Sequence, residues 1–142
     1  MMCFRGEYRF LSNFYEHPIV YQGVEFKTTE HAYQALKFSD PGIRQEIIDA
    51  PTPGKAKRLA KQYSDQIDPN WSGRKIGIMY DINKIKFSDP ALAQKLLEIE
   101  QPIVEGNDWG DTFWGVDIKS GEGKNTLGKI LERIKQEKEL FD

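Results

Sequence analysis

Apolar and polar positions change period several times along this chain, and each change marks an element. Ile19-Val20 and Glu25-Phe26-Lys27 flank Tyr21-Gln22-Gly23-Val24, which predicts a hairpin turning near Gly23. Thr28 and Thr29 can accept the free N–H groups of a helix beginning at Glu30, whose negative charge suits the positive helix start. That helix is expected to run to about Phe38. Ser39-Asp40-Pro41 then breaks it and caps a second helix through Ile43, Ile47 and Ile48, and Ala50-Pro51-Thr52-Pro53-Gly54 forces another stop. A third helix is expected from about Gly54 to Tyr63. A longer one follows from about Gly73 to Lys86, where Ile78, Ile82 and Ile85 recur on one face. Ser88-Asp89-Pro90 ends it. Ala91 to Glu98 reads as helix, Pro102-Ile103-Val104-Glu105 as a short strand, and Leu127, Ile130, Leu131 and Ile134 as the apolar stripe of a C-terminal helix. The pattern predicts a mainly α fold with a small β part (α+β). With no internal repeat, low-complexity tract or long linker, the 142 residues are expected to form a single compact domain.

Composition narrows the function classes. An apolar fraction of 39% with 12% aromatics can build a core, and 30% charged residues argue for a solvated surface rather than a disordered chain. No run approaches the roughly 20 apolar residues that span a bilayer, and Met1 to Gly6 lacks the apolar stretch of a secretory signal. A cytoplasmic protein with no membrane partner is expected. Cys3 is the only cysteine, so an internal disulfide is ruled out, and with only His17 and His31 besides, a Cys/His zinc site has too few donors. No metal and no cofactor are expected. A net charge of −2 argues against a dedicated duplex DNA binder. Lys55, Lys57, Arg58 and Lys61 form a local basic cluster, read either as a solvated helix face or as a grip for a nucleotide.

Four segments carry candidate chemistry. Glu30 and Lys37 lie two turns apart on the first predicted helix, about 10 Å along its axis, with Tyr33 and Gln34 between them in a polar stripe. Alone they read as surface charges, and His31 as a satisfied core or cap histidine. Leu11-Ser12-Asn13-Phe14 sets two small hydrogen-bonding side chains between apolar anchors, which suits a tight turn or a polar clamp on a ligand. From Ile103 to Gly115, acids alternate with aromatics and glycines outside any regular period. An apolar wall beside a carboxylate suits a base or sugar ring, while Trp109 and Trp114 read equally as plugs beneath a long loop. Gly121 to Gly128 approaches the last helix, where backbone N–H groups can meet a phosphate or Asn125 or Thr126 can act as a plain N-cap.

In order along the chain, these pieces resemble the NADAR superfamily, the YbiA-like proteins linked to NAD and ADP-ribose metabolism. The resemblance covers nearly the whole chain. It rests on Leu11-Ser12-Asn13-Phe14, on Glu30-His31, Gln34-Ala35 and Lys37-Phe38, and on Trp71, Met79 and Lys86-Phe87. Val104-Glu105, Asp111, Trp114-Gly115, Gly123 through Gly128, Leu131 and Arg133 complete it. It implies an N-glycosidase that hydrolyses the bond between a ribose anomeric carbon and a nitrogen. The substrate is then a small molecule of ADP-ribose or phosphoribosyl type, either a ribosylamino-pyrimidine intermediate of riboflavin synthesis or ADP-ribose on guanine in a modified nucleic acid. The resemblance places catalytic roles on Glu30, Lys37 and Asp111 and substrate contacts on Ser12, Asn13, Phe14, Trp71, Trp114 and Asn125. A silent ADP-ribose or nucleotide binding module and a partner-docking protein are the competing classes. This chain departs from the family at Ala60-Lys61, where Gly-Arg is common, and at Asp117, where glycine is usual. A lysine there lacks the planar fork that grips phosphate bidentately.

Overall fold

Threonine and aspartate side chains start four helices of this chain by accepting their first free N–H groups. Thr28 accepts from His31 at the head of α1 (Thr29–Ala35), and Asp40 from Gly42 and Ile43 at the head of α2 (Pro41–Ile48). Thr52 accepts from Lys55 at α3 (Pro53–Gln62). Beyond α4 (Trp71–Lys86), Asp89 accepts from Leu92 at α5 (Pro90–Leu97). In α2, α3 and α5 a proline follows the cap, where its missing N–H and fixed φ fit the first turn. These are the positions where the sequence pattern breaks one helix and begins the next.

A computed structural model describes residues 2–141. They divide into two units, Asn13–Lys86 and the rest of the chain up to Ser12 and from Phe87 onward. In the first unit, β1 (Ile19–Tyr21) and β2 (Val24–Phe26) pair antiparallel with Ile19 opposite Phe26. Gln22 and Gly23 turn the hairpin at φ 52° and 79°, the double positive pair that matches the twist of two-residue hairpins. Helix α1 packs against α2, α3, α4 and β2, and all seven of its residues are buried. The hairpin lies on α4 through β1, and the predicted face of α4 holds, with Ile78 and Ile82 buried and Ile85 half-buried.

Helix α1 is shorter than the expected run to Phe38. The N–H groups of Lys37 and Phe38 reach back only three residues, to Gln34 and Ala35, which tightens the last turn. The carbonyl of Lys37 then accepts from Asp68 N–H at 2.8 Å, and that of Phe38 from Arg44 Nε. Partners outside the helix therefore take the carbonyls that would have carried it on.

In the second unit a 3-10 turn (Gly6–Leu11) is followed, after α5, by α6 (Thr126–Phe141), which packs on α5 through its buried stripe of Leu127, Ile130, Leu131 and Ile134. The expected strand at 102–105 is displaced. The paired residues are β3 (Gly106–Asn107) and β4 (Val116–Asp117), running parallel. Residues 103–105 are held by side chains instead: Ile103 N–H donates to Glu132, and Asn125 donates to Ile103 O and accepts from Glu105 N–H. Glycine makes this weave possible. A Cβ on Gly115 would strike Glu105 O, and one on Gly128 would strike the Asn125 amide and Ile103 O. The chain is thus mainly helical with two small two-stranded sheets, an α+β fold.

Gly128 and Gly77 are both helical, but only the first is crowded; nothing lies within 4 Å of a Cβ on Gly77. Gly128→Ala is expected to lower stability by about 1–3 kcal/mol through overpacking. Gly77→Ala should raise it by about 0.5–1 kcal/mol through helix propensity. Urea midpoints at constant m-value check both signs.

Candidate active site

The buried face of α1 assembles the first cluster of candidate groups, all within Asn13–Lys86. Glu30 is 7% exposed, and Gln34, one turn on, donates Nε2 to Glu30 Oε2 at 2.6 Å. Lys37 follows the helix end and sets Nζ 5.0 Å from the centre of the Tyr33 ring. Tyr33 meets Trp71 edge-on at 5.3 Å, and Arg74 lies 5.9 Å from the Trp71 ring while pairing with Asp68 at 3.5 Å. A chain of contacts thus runs from the Lys37 amine over Tyr33 and Trp71 to Arg74, and the buried Glu30 carboxylate acts on the same amine. Burial pushes the Lys37 amine below the usual lysine range; the Glu30 charge opposes this, and Lys57 and Lys75 reinforce it. Such a group stands nearer to the neutral, nucleophilic form than a surface lysine does.

Around this cluster, polar side chains seat α1. Thr29 Oγ1 donates to Asn13 Oδ1 at 2.7 Å, and Asn83 Nδ2 reaches the same oxygen at 3.3 Å. Asn13 Nδ2 donates to Met79 Sδ. Of Ser12-Asn13, read as a tight turn or a polar clamp, Asn13 is buried and bonded to the protein's own helix, Ser12 is half-buried and caps the 3-10 turn, and Phe14 is exposed. His31 is buried with Nδ1 2.8 Å from Thr28 Oγ1 and Nε2 2.9 Å from Ala50 O, so it is a satisfied core histidine.

The second cluster lies in the other unit, in the loop that carries Asp111. Asn107 is fully buried; its amide donates to Asp111 O at 2.8 Å and accepts from Asp111 N–H at 2.9 Å. Asp111 Oδ1 in turn accepts from the N–H groups of Phe113 and Trp114, at 3.0 and 2.9 Å. Oδ2 is left without a hydrogen bond among the described residues. Trp114 stands edge-on to Phe113 at 4.8 Å and is half-buried, whereas Trp109 is 58% exposed and plugs nothing. Most N–H groups of the glycine-rich approach to α6 are taken within the protein. Those of Lys124, Asn125, Thr126 and Leu127 donate to Thr112, Gly115, Phe113 and Trp114 carbonyls. Asn125 holds residues 103–105 through both ends of its amide and so clamps the loop. No group of three or more His, Cys, Asp or Glu side chains among the described residues is placed to hold a metal ion. No helix among them is long and apolar enough to cross a membrane.

The NADAR domain model matches residues 3–138. The chain belongs to the NADAR family. It is 34% identical over 133 residues to the N-glycosidase YbiA of Escherichia coli, covering 92% of this chain and 82% of that protein. It is 33% identical over 129 residues to a riboflavin biosynthesis protein of Vibrio vulnificus, covering 90% of this chain. The chain spans only 35% of that longer protein. The NMR structure of Escherichia coli YbiA superposes with a TM-score of 0.86 at 31% identity, covering 99% of this chain and 83% of that one.

Within this NADAR chain, spacing set Tyr33 and Gln34 in the stripe between Glu30 and Lys37 without giving either a role, and it missed Arg74. Gln34 is four residues after Glu30, Tyr33 four before Lys37 and Arg74 three after Trp71, so each lies within helical reach of its partner. It also missed Lys86, which continues the Ile78 and Ile82 stripe of α4 and is buried with its amine pushed down to about 7 by desolvation. Of the family departures, Lys61 is exposed beside buried Ala60, and the basic cluster on α3 is largely solvated. Asp117 ties the turn that follows it, accepting from Ser120 N–H at 3.2 Å; the Ser120 side chain first, and then the backbone N–H groups of the turn, hold its carboxyl below the usual range.

Burial holds the His31 ring below its ordinary value of 6.5; the Ala50 carbonyl opposes the shift and Lys27 adds to it. Between the folded and unfolded values the unfolded chain binds more protons, so stability is full above about 6.5 and falls as pH drops through the folded value. His31→Gln is expected to lower stability at pH 7.5 but to flatten its decline between pH 6.5 and 5. Denaturation midpoints measured across that range check the slope.

Proposed function

We propose that this protein hydrolyses the C–N bond of a phosphorylated ribosyl substrate. That it is a hydrolase of N-glycosyl bonds follows from its NADAR membership and from its N-glycosidase relatives. The observation that carries the finer reading is a buried carboxylate fixed by an amide beside a desolvated amine and a Tyr33–Trp71 pair. As the bond to nitrogen lengthens, the ribose ring takes on positive charge, and a fixed negative group in a poorly hydrated place stabilises it strongly. Glu30 is the proposed group for that task. Asp111, with Oδ1 holding its own loop and Oδ2 uncommitted, is the proposed proton-transfer acid. Overall, water supplies a hydroxyl to the anomeric carbon and its other proton goes to the departing nitrogen. Trp71 and Trp114 are proposed to stack on ribose or base, with Ser12 and Phe14 as further contacts.

Of the substrate classes, a ribosylamino-pyrimidine of riboflavin synthesis is supported by the name of the Vibrio vulnificus relative. The net charge of −2 supports a small molecule over a nucleic acid carrying ADP-ribose on guanine. Incubation with phosphoribosylamino-pyrimidines, ADP-ribosylated guanosine and NAD, followed by mass spectrometry of released base, tests this directly. A ligand that binds yet stays intact would establish a binding module instead.

Lys37 is proposed to condense through its amine with the aldehyde of the opened sugar, releasing water and forming a Schiff base that hydrolysis later reverses. Borohydride added during turnover is expected to leave a reduced ribosyl adduct on Lys37. Measured turnover without an adduct would assign the amine to electrostatic binding alone. Glu30→Gln and Asp111→Asn are each expected to lower kcat at least about 100-fold with the fold retained. Asparagine keeps the carbonyl that accepts from Phe113 and Trp114, so Asp111→Asn removes the charge and leaves the turn. Near-normal rates in both variants would end the mechanism.

A further inference from the structure

Gln34 takes part in none of the steps above, yet its setting is not that of a packing residue. It is 4% exposed, its N–H group is given to Glu30, and its carbonyl oxygen Oε1 is buried and accepts no hydrogen bond among the described residues. Leaving a buried carbonyl without a donor is costly, and an apolar side chain of the same length would avoid the cost. The site therefore gains something from the carboxamide itself.

Carboxamide chemistry supplies the reason. One side of the amide is a donor and the other an acceptor. Toward a carboxylate it presents N–H, as it does here at 2.6 Å. Toward a carboxylic acid it can present C=O after a half-turn about its last bond. A neighbour fixed on the same helix, one turn away, thus holds the Glu30 side chain in one place and favours its ionised form. Lysine would add a charge, and methionine would give no hydrogen bond to either state.

We propose that Gln34 is the positioning residue of Glu30, setting the orientation and ionisation of that carboxylate for glycosidic cleavage. This assignment rests on the reading of Glu30 as an acid of that reaction. Gln34 acts through Glu30, and its effect therefore vanishes when Glu30 carries no charge.

The test is a double-mutant cycle of Gln34→Met and Glu30→Gln, with kcat, KM and their pH dependence measured on the cleaved substrate and melting temperatures followed alongside. Gln34→Met is expected to lower kcat about 10- to 100-fold with KM changed less than about threefold. The acid limb of kcat/KM should move up by about one pH unit. In the Glu30→Gln background the same substitution should cost less than about twofold. Losses that multiply in the double variant, or an unmoved acid limb, would overturn the proposal. Gln34→Glu keeps the length and polarity should the methionine variant fail to fold. When protonated it donates to Glu30, so it should keep more activity at low pH than at high pH, and a uniform loss counts against the proposal.

A second measurement needs no substrate. The Glu30 carboxyl titration followed by 13C NMR should move to higher pH in Gln34→Met, and an unchanged curve would overturn the coupling. Should the wild type cleave no ribosylamine while that titration still moves, the hydrolytic assignment fails and the pairing of Gln34 with Glu30 stands.

Discussion

Keeping a carboxylate out of water is the constraint around which Asn13–Lys86 is arranged. An ionised carboxyl group loses on the order of several kcal/mol of hydration when buried, and only hydrogen bonds and nearby opposite charge offset the loss. Glu30 has the Gln34 amide and the Lys37 charge to offset it. Both depend on the seating of α1, a helix of seven residues that is too short to be stable by itself. Thr28 caps its start, Thr29 ties it to Asn13, and His31 ties it to Ala50 in the turn between α2 and α3. Each of these polar ties runs between buried groups, so α1 is placed by hydrogen bonds as much as by the apolar contacts of Ala32, Ala35 and Leu36. Substitutions at Asn13 or Thr29 therefore act on Glu30 at one remove.

The other unit solves a different problem with the same economy. A loop without regular pairing must still satisfy its backbone groups. Here Asn107 and Asn125, one fully buried and one half-buried, do much of that work, while the start of α6 is closed by carbonyls of residues 112–115. Gly115, Gly123 and Gly128 are where backbone approaches backbone or amide too closely for any side chain. Within that frame Asp111 has two roles on two oxygens. Oδ1 shapes the turn that carries Trp114, and Oδ2 is the oxygen to which the proposed proton transfer is assigned.

Helices and their starts were legible because the signals are local. A capping side chain followed by proline acts within one turn, so Asp40-Pro41 and Thr52-Pro53 announced α2 and α3 without reference to anything distant. The hairpin at Gln22-Gly23 and the apolar stripe of α6 were legible for the same reason. The end of α1 was not, because Asp68 and Arg44 terminate it from outside. The strand expected at 102–105 moved to Gly106–Asn107 because the partners of Ile103 and Glu105 are the side chains of Glu132 and Asn125, about 20 to 30 residues away. The sequence left the N–H groups before α6 between a phosphate and a plain cap, because the carbonyls that take most of them lie in an irregular loop. Among the site residues, Glu30 looked like a surface charge by spacing. Only its resemblance to a family motif raised it above that, and its burial depends on four elements packing around α1 at once.

Lys37 shows how that packing sets reactivity. An ammonium over the face of Tyr33 is favoured by the ring's negative face, and the Glu30 charge favours it again. Desolvation works the other way and is the largest influence, with Lys57 and Lys75 adding to it. Burial therefore weakens the ammonium while the Glu30 charge supports it. Neutralising Glu30 would remove the main support for the ammonium and raise the fraction of free amine. A proton taken up at Glu30 during the reaction would do the same. On this arrangement the charge state of the acid governs the nucleophilicity of the amine, and the amide of Gln34 bears on both.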